Sequence, residues 1–350
     1  MSRDPENLIL KYGILGSSYP QGVKGEEIGF YRSWKPYLIQ AGFYHFLLGL
    51  ESYLEFQKKL SLLSEEKVGV SLALACMVEV NVAGGILAQA KEGNTSHTKK
   101  SEESSDSLWD AFREENPVQI FAVGVSEPGW ETKLRKLSSK VQDGKLSGTK
   151  SFITNGGEAD TIFWVTKADE GNPVYLVRRK VQEPTDLKLN SNEADPRTQI
   201  QEEFFHTDFT PQVSHLKLSL CEYPISSQDL VLRNYGNLGL TLRLKELLSL
   251  VSLLIGKTKK ISLEVESVAK EREKLIAWRE VFLSNLKGNP SGDFLLSGFP
   301  YPIEGLLATL TEYWNLSSPK ELKTIDPDFQ LFVWEDQFTQ YLIQKKKRKL

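Results

Sequence analysis

The sequence predicts an α+β protein in which a middle antiparallel β-barrel or β-sandwich domain lies between two helical domains. Apolar residues follow a helical period in the first third of the chain, short strand patterns separated by turn residues fill the middle, and a helical period returns from Leu238. We therefore predict an N-terminal helical domain over 1–117, a middle β-domain over 118–230 and a C-terminal helical domain over 231–350.

The N-terminal region predicts two main helices. Residues 34–50 carry apolar residues at mixed three and four spacing, which two glycines weaken. Residues 68–90 form the stronger pattern, with Ser64, Glu65 and Glu66 as a start and Gly93-Asn94 as a stop. The polar run 94–107 predicts a loop, and a short helix is expected over 108–115.

The middle region reads as strands separated by turns. A β-branched run, Gln119–Val125, is stopped by Ser126-Glu127-Pro128-Gly129. Asp143-Gly144 separates two half-buried patterns and predicts a hairpin, because a tight primed turn needs positive φ. We expect a surface loop over 182–203 and further strands over 161–166, 174–177 and 215–221.

The C-terminal region predicts a buried helix and an amphipathic one. Apolar residues from Leu238 to Ile255 cover a broad helical face that contains one acid, Glu246. A second helix is expected over 329–343, and the lysines of 345–349 would match the negative end of its dipole.

Composition excludes several classes of function. With 350 residues, 40% of them hydrophobic, the chain can bury a sizeable core, and its net charge of −3 gives no reason to expect nucleic-acid binding. Two distant cysteines and four scattered histidines indicate neither a disulfide framework nor a metal site. No signal-peptide pattern and no apolar stretch of bilayer length are evident, so we expect a cytoplasmic protein without a membrane span.

Two blocks of the middle region resemble the acyl-CoA dehydrogenases. S-E-P-G at 126–129 and G-T-K-S-F-I-T-N-G at 148–156 match that family's T-E-P-G and G-x-K-x-W-I-T-N-G in order and spacing, and Ala159-Asp160 follows as the family's A-D. The resemblance covers roughly residues 60–310. It implies a flavoprotein that binds FAD. Too few residues separate Ile276 from Gly298 for the two long helices that the family has there, so a reduced C-terminal helical bundle is expected.

The resemblance also implies which residues hold the flavin. Ser126, with its neighbour Val125, takes the place of the family Thr whose hydroxyl meets the flavin. Phe152 replaces the Trp that lies against the ring, Ile153 follows it, and Thr154 supplies a second hydroxyl. The alternative is that Ser126 and Thr154 only cap turns.

Two more residues are implied less directly. Thr132 keeps a hydroxyl where the family writes the Ser of G-x-G-S-D, whereas Glu131 replaces a glycine and places an acid beside the phosphates of an acyl-CoA. Arg272 matches the family Arg that reaches FAD phosphates across a subunit contact. Its alternative role is a solvated side chain on a charged helix.

The catalytic base that the resemblance implies is Glu246. The family's common base, in Tyr-Glu-Gly-Thr, is missing, but the isovaleryl type carries its base ten residues before a glycine, and Glu246 stands so before Gly256. The alternative is a charge at the solvent edge of the helix, beside Arg243 and Lys245.

Two functions follow from the resemblance. The first is FAD-dependent α,β-dehydrogenation of an acyl-CoA or related acyl thioester, as in fatty acid metabolism, with an electron-transfer flavoprotein as a conceivable acceptor and a homo-oligomer as a conceivable assembly. The second is a catalytically degenerate member that acts as an accessory or binding subunit. The missing Tyr-Glu-Gly-Thr favours the second, and the retained flavin motifs suit both.

Overall fold

In the part of the chain that the structure describes, eight strands lie in sequence between helices that end at Asn94 and helices that begin at Gly236, which confirms the predicted α+β class. The computed structural model describes residues 29–66, 68–94, 119–129, 133–179, 200–333 and 337–347. The predicted loop over 94–107 and helix over 108–115 lie almost wholly outside these residues. The helices are α1 Phe30–Gln40, α2 Tyr53–Ser64, α3 Gly69–Val78, α4 Gly84–Asn94, α5 Gly236–Lys257, α6 Lys259–Glu264, α7 Glu266–Ser284, α8 Gly292–Gly298, α9 Glu304–Tyr313, α10 Leu322–Ile325 and α11 Gln337–Lys347.

The chain forms two compact units. The helical unit contains the described residues up to Gly85, the segment 206–213 and the described residues from Leu238 onward. The β unit contains the described residues from Ile86 to Phe205 and from Ser214 to Asn237.

The strongest helical pattern of the N-terminal region forms one long buried helix. α3 and α4 continue through a π-helical turn, Glu79–Ala83, and the whole of α3 and that turn is buried. The helix over residues 69–91 contains an 18-residue window with a mean hydropathy of 1.9 and is long enough to cross a membrane, which corrects the expectation that no stretch reaches that length. Every residue of that window is buried inside the protein, as expected for a core helix that is apolar on all sides.

The ends of the N-terminal helices differ from those predicted. Helix α1 begins earlier, at Phe30, and ends at Gln40, and single turns follow it in place of the helix predicted to Leu50. Gly42 and Gly49 have φ of +79° and +69°, so they end helical structure rather than merely weaken it. Ser64 does not start a helix: it is the last residue of α2, and its hydroxyl donates to the Leu60 carbonyl at 2.8 Å.

The β unit contains two four-stranded sheets, with strand orders β1-β4-β5-β8 and β2-β3-β7-β6. All strand pairs are antiparallel except β1–β4, which is parallel. The strands are β1 Phe121–Gly124, β2 Lys140–Gln142, β3 Lys145–Thr154, β4 Thr161–Val165, β5 Val174–Arg178, β6 Ile200–Phe205, β7 His215–Pro224 and β8 Leu230–Leu232.

The predicted hairpin is present as β2–β3. Asp143 and Gly144 have φ of +51° and +71°, the signs that a type I′ turn requires. The loop predicted over 182–203 was extended too far, because Ile200–Phe205 pairs with β7 as an edge strand. Its charged residues hid the strand, since only one face of an edge strand packs on protein.

The C-terminal region confirms the long helix from Leu238, which is α5. Residues 327–332 form a 3₁₀ turn that Asp326 caps, and α11 begins at Gln337, so the helix predicted over 329–343 starts later than expected. Among the described residues, α5 and α7 are the two long C-terminal helices, with 22 and 19 residues.

Candidate functional site

The structure places the two flavin-motif segments of the β unit side by side. The Ser151 amide donates to the Ser126 carbonyl at 2.8 Å, which joins the segment after β1 to the end of β3. Gly124 allows this approach, because a Cβ there would lie 2.9 Å from Cγ of Lys150 and 3.5 Å from Cδ1 of Ile153. Val125 and Ser126 are therefore held next to the strand that carries Phe152, Ile153 and Thr154.

The end of β3 presents an aromatic ring and a hydroxyl. Ile153 is fully buried, whereas Phe152 is 39% exposed and Thr154 is half-buried, as strand alternation requires. The Phe152 ring rests on the imidazole of His215 at 4.5 Å and on the Phe205 ring at 5.4 Å. An exposed aromatic ring on a supported platform, with hydroxyls on both segments, suits a flat heteroaromatic ligand.

A buried ion pair fixes these segments to each other. Nζ of Lys150 lies 2.7 Å from Oε1 of Glu127, with the two side chains 0% and 3% exposed. Lys150 also donates to the Val125 carbonyl at 3.2 Å. The other acceptor positions of Glu127 are filled by the amide and hydroxyl of Ser138, at 2.5 and 2.7 Å, and by the Ser139 amide at 3.0 Å.

The environment of this pair shifts both pKa values. Burial alone would raise the pKa of Glu127, but the hydrogen bonds from Lys150 and the two serines outweigh it and lower the pKa to about 2. Burial lowers the pKa of Lys150 to about 8 against the attraction of Glu127. Both groups are therefore mainly charged at neutral pH, and Lys150 lies 5.5 Å from the centre of the Trp164 ring.

Glu246 lies on the face of α5 that packs against the long buried helix. One turn before it, Cδ2 of Leu242 would lie 2.6 Å from a Cβ on Gly85, and one turn after it the hydroxyl of Ser249 accepts from Asn81 at 2.9 Å. Residues at i, i+4 and i+7 share one helix face, so Glu246 lies on the same face of α5 as Leu242 and Ser249.

The surroundings of Glu246 are partly dry. Its side chain is 25% exposed, and its carboxylate lies 3.6 Å from Arg243. Burial raises its pKa, and Arg243 counteracts part of the rise. The alternative for Glu246 was a place at the solvent edge beside Arg243 and Lys245. Lys245 is itself buried, with Nζ over the rings of Phe46 and Tyr53 at 5.6 and 5.8 Å.

Arg272 is not a solvated side chain. It is 11% exposed, and its Nε donates to the Ile255 carbonyl at the end of α5, at 2.7 Å. Its Nη2 lies 3.4 Å from Glu65. Its role toward FAD phosphates stays a prediction, and Thr132 lies outside the described residues.

A second buried polar cluster, centred on Glu79, was not predicted from the sequence. Oε1 of Glu79 accepts from Lys35 at 2.7 Å, and Oε2 accepts from the hydroxyls of Tyr31 and Tyr44 at 2.8 and 2.5 Å. All four side chains are 2% exposed or less. Its sequence signal was a lone acid inside the apolar 68–90 pattern. Each carboxylate oxygen has a partner, so the cluster is a satisfied core network.

Comparisons with solved structures give the fold its context. Butyryl-CoA dehydrogenase from Megasphaera elsdenii is 11% identical with a TM-score of 0.69, over 100% of this chain and 98% of that one. The electron transferring flavoprotein structure of Acidaminococcus fermentans and the prolyl acyl carrier protein oxidase AnaB are each 13% identical with TM-scores of 0.66, over 99% and 98% of the chains.

Sequence comparisons add nothing to this: no family model and no curated protein matches. An FAD complex of PigA is also similar, at 12% identity and a TM-score of 0.62 over 98% and 92% of the chains. At such identities the likeness concerns the fold and not the activity, and it extends over nearly the full length of both proteins. The chain has the fold of the acyl-CoA dehydrogenases.

Proposed function

We propose that this protein binds FAD and dehydrogenates an acyl thioester between its α and β carbons. The observation that carries this proposal is the bond from the Ser151 amide to the Ser126 carbonyl, which brings both flavin-motif segments together. The fold supports it, since an FAD complex is among the similar structures.

The residues of the β unit fit a flavin. Ser126 and Thr154 offer hydroxyls that donate or accept, which suits the polar edge of the ring system. Phe152 offers an exposed face on its His215 and Phe205 support, which suits the apolar plane. When bound, FAD supplies the hydride acceptor.

Glu246 is the proposed base that removes the α-proton. A carboxylate must be ionised to accept a proton, and desolvation makes it a stronger base by raising its pKa. Arg243, at 3.6 Å, favours the ionised form and so keeps the carboxylate available. The hydroxyls and amides of the β unit would orient the cofactor and do not exchange protons in this scheme.

Spectroscopy of the purified protein tests the proposal. We expect visible flavin absorbance after incubation with FAD and bleaching by an acyl thioester under anaerobic conditions. Glu246→Gln should retain flavin and lose at least about 10³-fold in the bleaching rate, since it removes the only proposed base. Glu312→Gln, an exposed acid on α9, is the matched control and should bleach normally.

Two results would contradict the proposal. Protein that cannot be reconstituted with FAD would remove the flavin assignment. Unchanged bleaching by Glu246→Gln would remove Glu246 as the base and leave the flavin assignment standing.

The second candidate is an accessory subunit that keeps the fold and the flavin without turnover. The contacts of Arg272 with Ile255 and Glu65 favour it, because those donors are then withdrawn from a cofactor phosphate. Yellow protein that no thioester bleaches would support this function. The CoA or carrier-protein form of the thioester, an electron-transferring flavoprotein as acceptor, homo-oligomer formation and a cytoplasmic location belong to the proposal and need separate tests.

A further inference from the structure

Asn81 carries an unused hydrogen-bond acceptor in the core of the helical unit. It lies in the π-helical turn Glu79–Ala83, and its side chain is fully buried. Its amide nitrogen donates to the Ser249 hydroxyl at 2.9 Å, whereas its buried Oδ1 atom accepts from no group among the described residues. A buried polar atom without a partner costs free energy, and π-helical turns are frequent at functional sites, so this residue has a role to be assigned.

Helix packing brings this acceptor toward Glu246. Asn81 bonds to Ser249, and Gly85, one turn later on the long buried helix, lies against Leu242, two turns earlier on α5. The two helices therefore run antiparallel, and Glu246 lies between the two contacts. Helical side chains lean toward the N-terminus, and residues three apart have Cβ atoms about 5–6 Å apart. The hydroxyl that holds Asn81 thus leans toward the turn of Glu246.

A protonated Glu246 needs an acceptor that its other neighbours do not supply. When the carboxylate takes the α-proton of a thioester, the electron pair of that C–H bond stays with the substrate, and the carboxyl becomes an O–H donor. Arg243 has no acceptor atom. The hydroxyl oxygen of Ser249 already accepts from Asn81 and from Nε2 of Gln57, each at 2.9 Å.

We propose that Asn81 is a positioning residue for the base, and that its Oδ1 accepts a hydrogen bond from Glu246 once the carboxyl is protonated. The catalytic meaning of this contact rests on the proposed function, whereas the contact itself does not. Arg243 lies 3.6 Å from the carboxylate, which is longer than a hydrogen bond, so rotation of the Glu246 side chain can exchange the two partners. Arg243 then favours the ionised form before proton transfer, and Asn81 favours the neutral form after it.

The surroundings leave this pair of contacts in control of the proton. Burial raises the pKa of Glu246, and among the described residues Arg243 is the one charge that lowers it. Other charged or titratable side chains on α5 and on the segments packed against it bond elsewhere: Glu79, Lys245, Lys257, Arg272, Arg279 and Tyr301.

Titration of Glu246 in the full chain without substrate tests the contact independently of turnover. Carbon-13 NMR of protein labelled at the glutamate carboxyl carbon would follow it, and the loss of one signal in Glu246→Gln assigns the resonance. We expect Asn81→Leu to lower the pH midpoint of Glu246 by about one unit, because loss of a hydrogen bond to the neutral form changes its acid dissociation constant about tenfold. If Asn81→Leu does not fold, Asn81→Ala carries the same expectation.

Gln57→Leu is the matched control. Gln57 is fully buried like Asn81 and also donates to Ser249, but its Oε1 already accepts from Ser252 at 2.8 Å. The variant removes the same kind of donor from Ser249 without removing an unused acceptor, so the midpoint of Glu246 should stay where it is. Far-ultraviolet circular dichroism would verify that the variants fold.

The Tyr53 hydroxyl is the competing acceptor, since it is buried near Ser249 and Asn81. Tyr53→Phe should leave the Glu246 midpoint unchanged, because a hydroxyl also has a proton to place, whereas an amide oxygen only accepts. An unmoved midpoint in Asn81→Leu, an equal shift in Gln57→Leu, or a shift in Tyr53→Phe alone would overturn the assignment.

The pH profile of flavin bleaching connects the contact to catalysis. We expect the acidic limb of the wild-type profile to follow the NMR midpoint, and Asn81→Leu to move both to lower pH by the same amount. An acidic limb that stays in place while the midpoint moves would remove Asn81 from the reaction. A midpoint that depends on Asn81 in a protein whose flavin no thioester bleaches would leave the contact standing and remove the dehydrogenase function.

Discussion

The carboxylate of Glu127 accepts four hydrogen bonds where water does not reach, and one of them comes from a lysine that is equally buried. Removal of the lysine leaves a charge without compensation, which is far more costly than loss of an exposed ion pair. Glu127 thus has a structural role that its place in the S-E-P-G motif did not indicate.

We predict that Lys150→Met destabilises the protein by about 3–5 kcal/mol. The control is Lys145→Met on the same strand, whose partner Glu222 lies at 2.9 Å with both side chains more than half exposed. That variant should lose far less stability than Lys150→Met, because exposed ion pairs contribute little. Urea denaturation monitored by tryptophan fluorescence compares the two, and equal losses would show that the buried pair has no special role.

Replacement of Glu246, unlike that of Lys150, should stabilise the protein at neutral pH. Its pKa is raised in the folded protein by burial, so folding favours the protonated form. The stability this group contributes is complete below the ordinary value of 4.5 and is lost as the pH rises through its folded pKa. Glutamine stays neutral, so Glu246→Gln should melt at a higher temperature than wild type at pH 7 and at nearly the same temperature at pH 4.

The pH dependence of that difference is the diagnostic measurement. Differential scanning calorimetry at both pH values would record it, with Glu312→Gln as the exposed control. A constant difference at the two pH values would mean that packing and not ionisation separates the variants. A destabilised Glu246→Gln at pH 7 would contradict the raised pKa.

At the scale of elements, two glycines of the β2–β3 hairpin differ in what a side chain would cost. At Gly144 the cost is backbone strain alone, and at Gly148 a steric collision is added. Gly144 has φ of +71°, and a Cβ there would meet only the Ile225 carbonyl, at 3.5 Å. Gly148 has φ of +152°, and a Cβ there would lie 2.7 Å from Cα and 2.6 Å from Cβ of Ser139. Ser139 also donates its amide to Glu127, so a shift of Ser139 disturbs the carboxylate cluster.

We therefore expect Gly148→Ala to cost at least about 3 kcal/mol and Gly144→Ala about 1 kcal/mol. Chemical denaturation of both variants measures the difference. Gly148→Ala should also weaken FAD binding, because the displaced serine is bonded to the residue after Ser126. Equal destabilisation with normal FAD binding in both would show that Ser139 moves freely.

Pattern and turn chemistry predicted the elements where local preference and tertiary packing agree. Asp143-Gly144 fixed its hairpin, and the broad apolar face after Leu238 became α5, since both signals are local. They failed where a distant contact decides. The charged residues 200–205 form a strand because β7 offers an edge to pair with.

At the scale of the whole molecule, the motif spacing predicted the fold that the structural likeness shows. It also predicted that Ser126 and Phe152–Thr154 are neighbours, because the resemblance implies that both motifs contact one ligand, and the Ser151–Ser126 bond brings them together. Motif spacing did not predict which buried charged side chains pair with each other. Nothing in the sequence tells that Lys150 pairs with Glu127, 23 positions away, or that Glu79 gathers Lys35 and two tyrosines. Those pairings depend on which side chains the assembled core excludes from water.

Ligand linkage supplies a test of the flavin site on the whole protein. A ligand that binds only the folded state stabilises it by about 2.7 kcal/mol at one hundred times its Kd. For a chain of 350 residues this should raise Tm by about 4 °C when FAD is added. Thr154→Val removes one candidate hydrogen bond, which weakens binding about tenfold and should reduce the shift at the same FAD concentration to about half.

The control for this measurement lies on the same strand. Thr149 donates to or accepts from Ser219 at 2.9 Å and belongs to neither flavin-motif contact, so Thr149→Val should keep the full shift. Each variant is compared with its own FAD-free Tm, which removes any direct effect of the substitution on stability. If FAD shifts all three proteins equally, the Thr154 hydroxyl does not touch the cofactor; if it shifts none of them, the fold has been kept without its flavin.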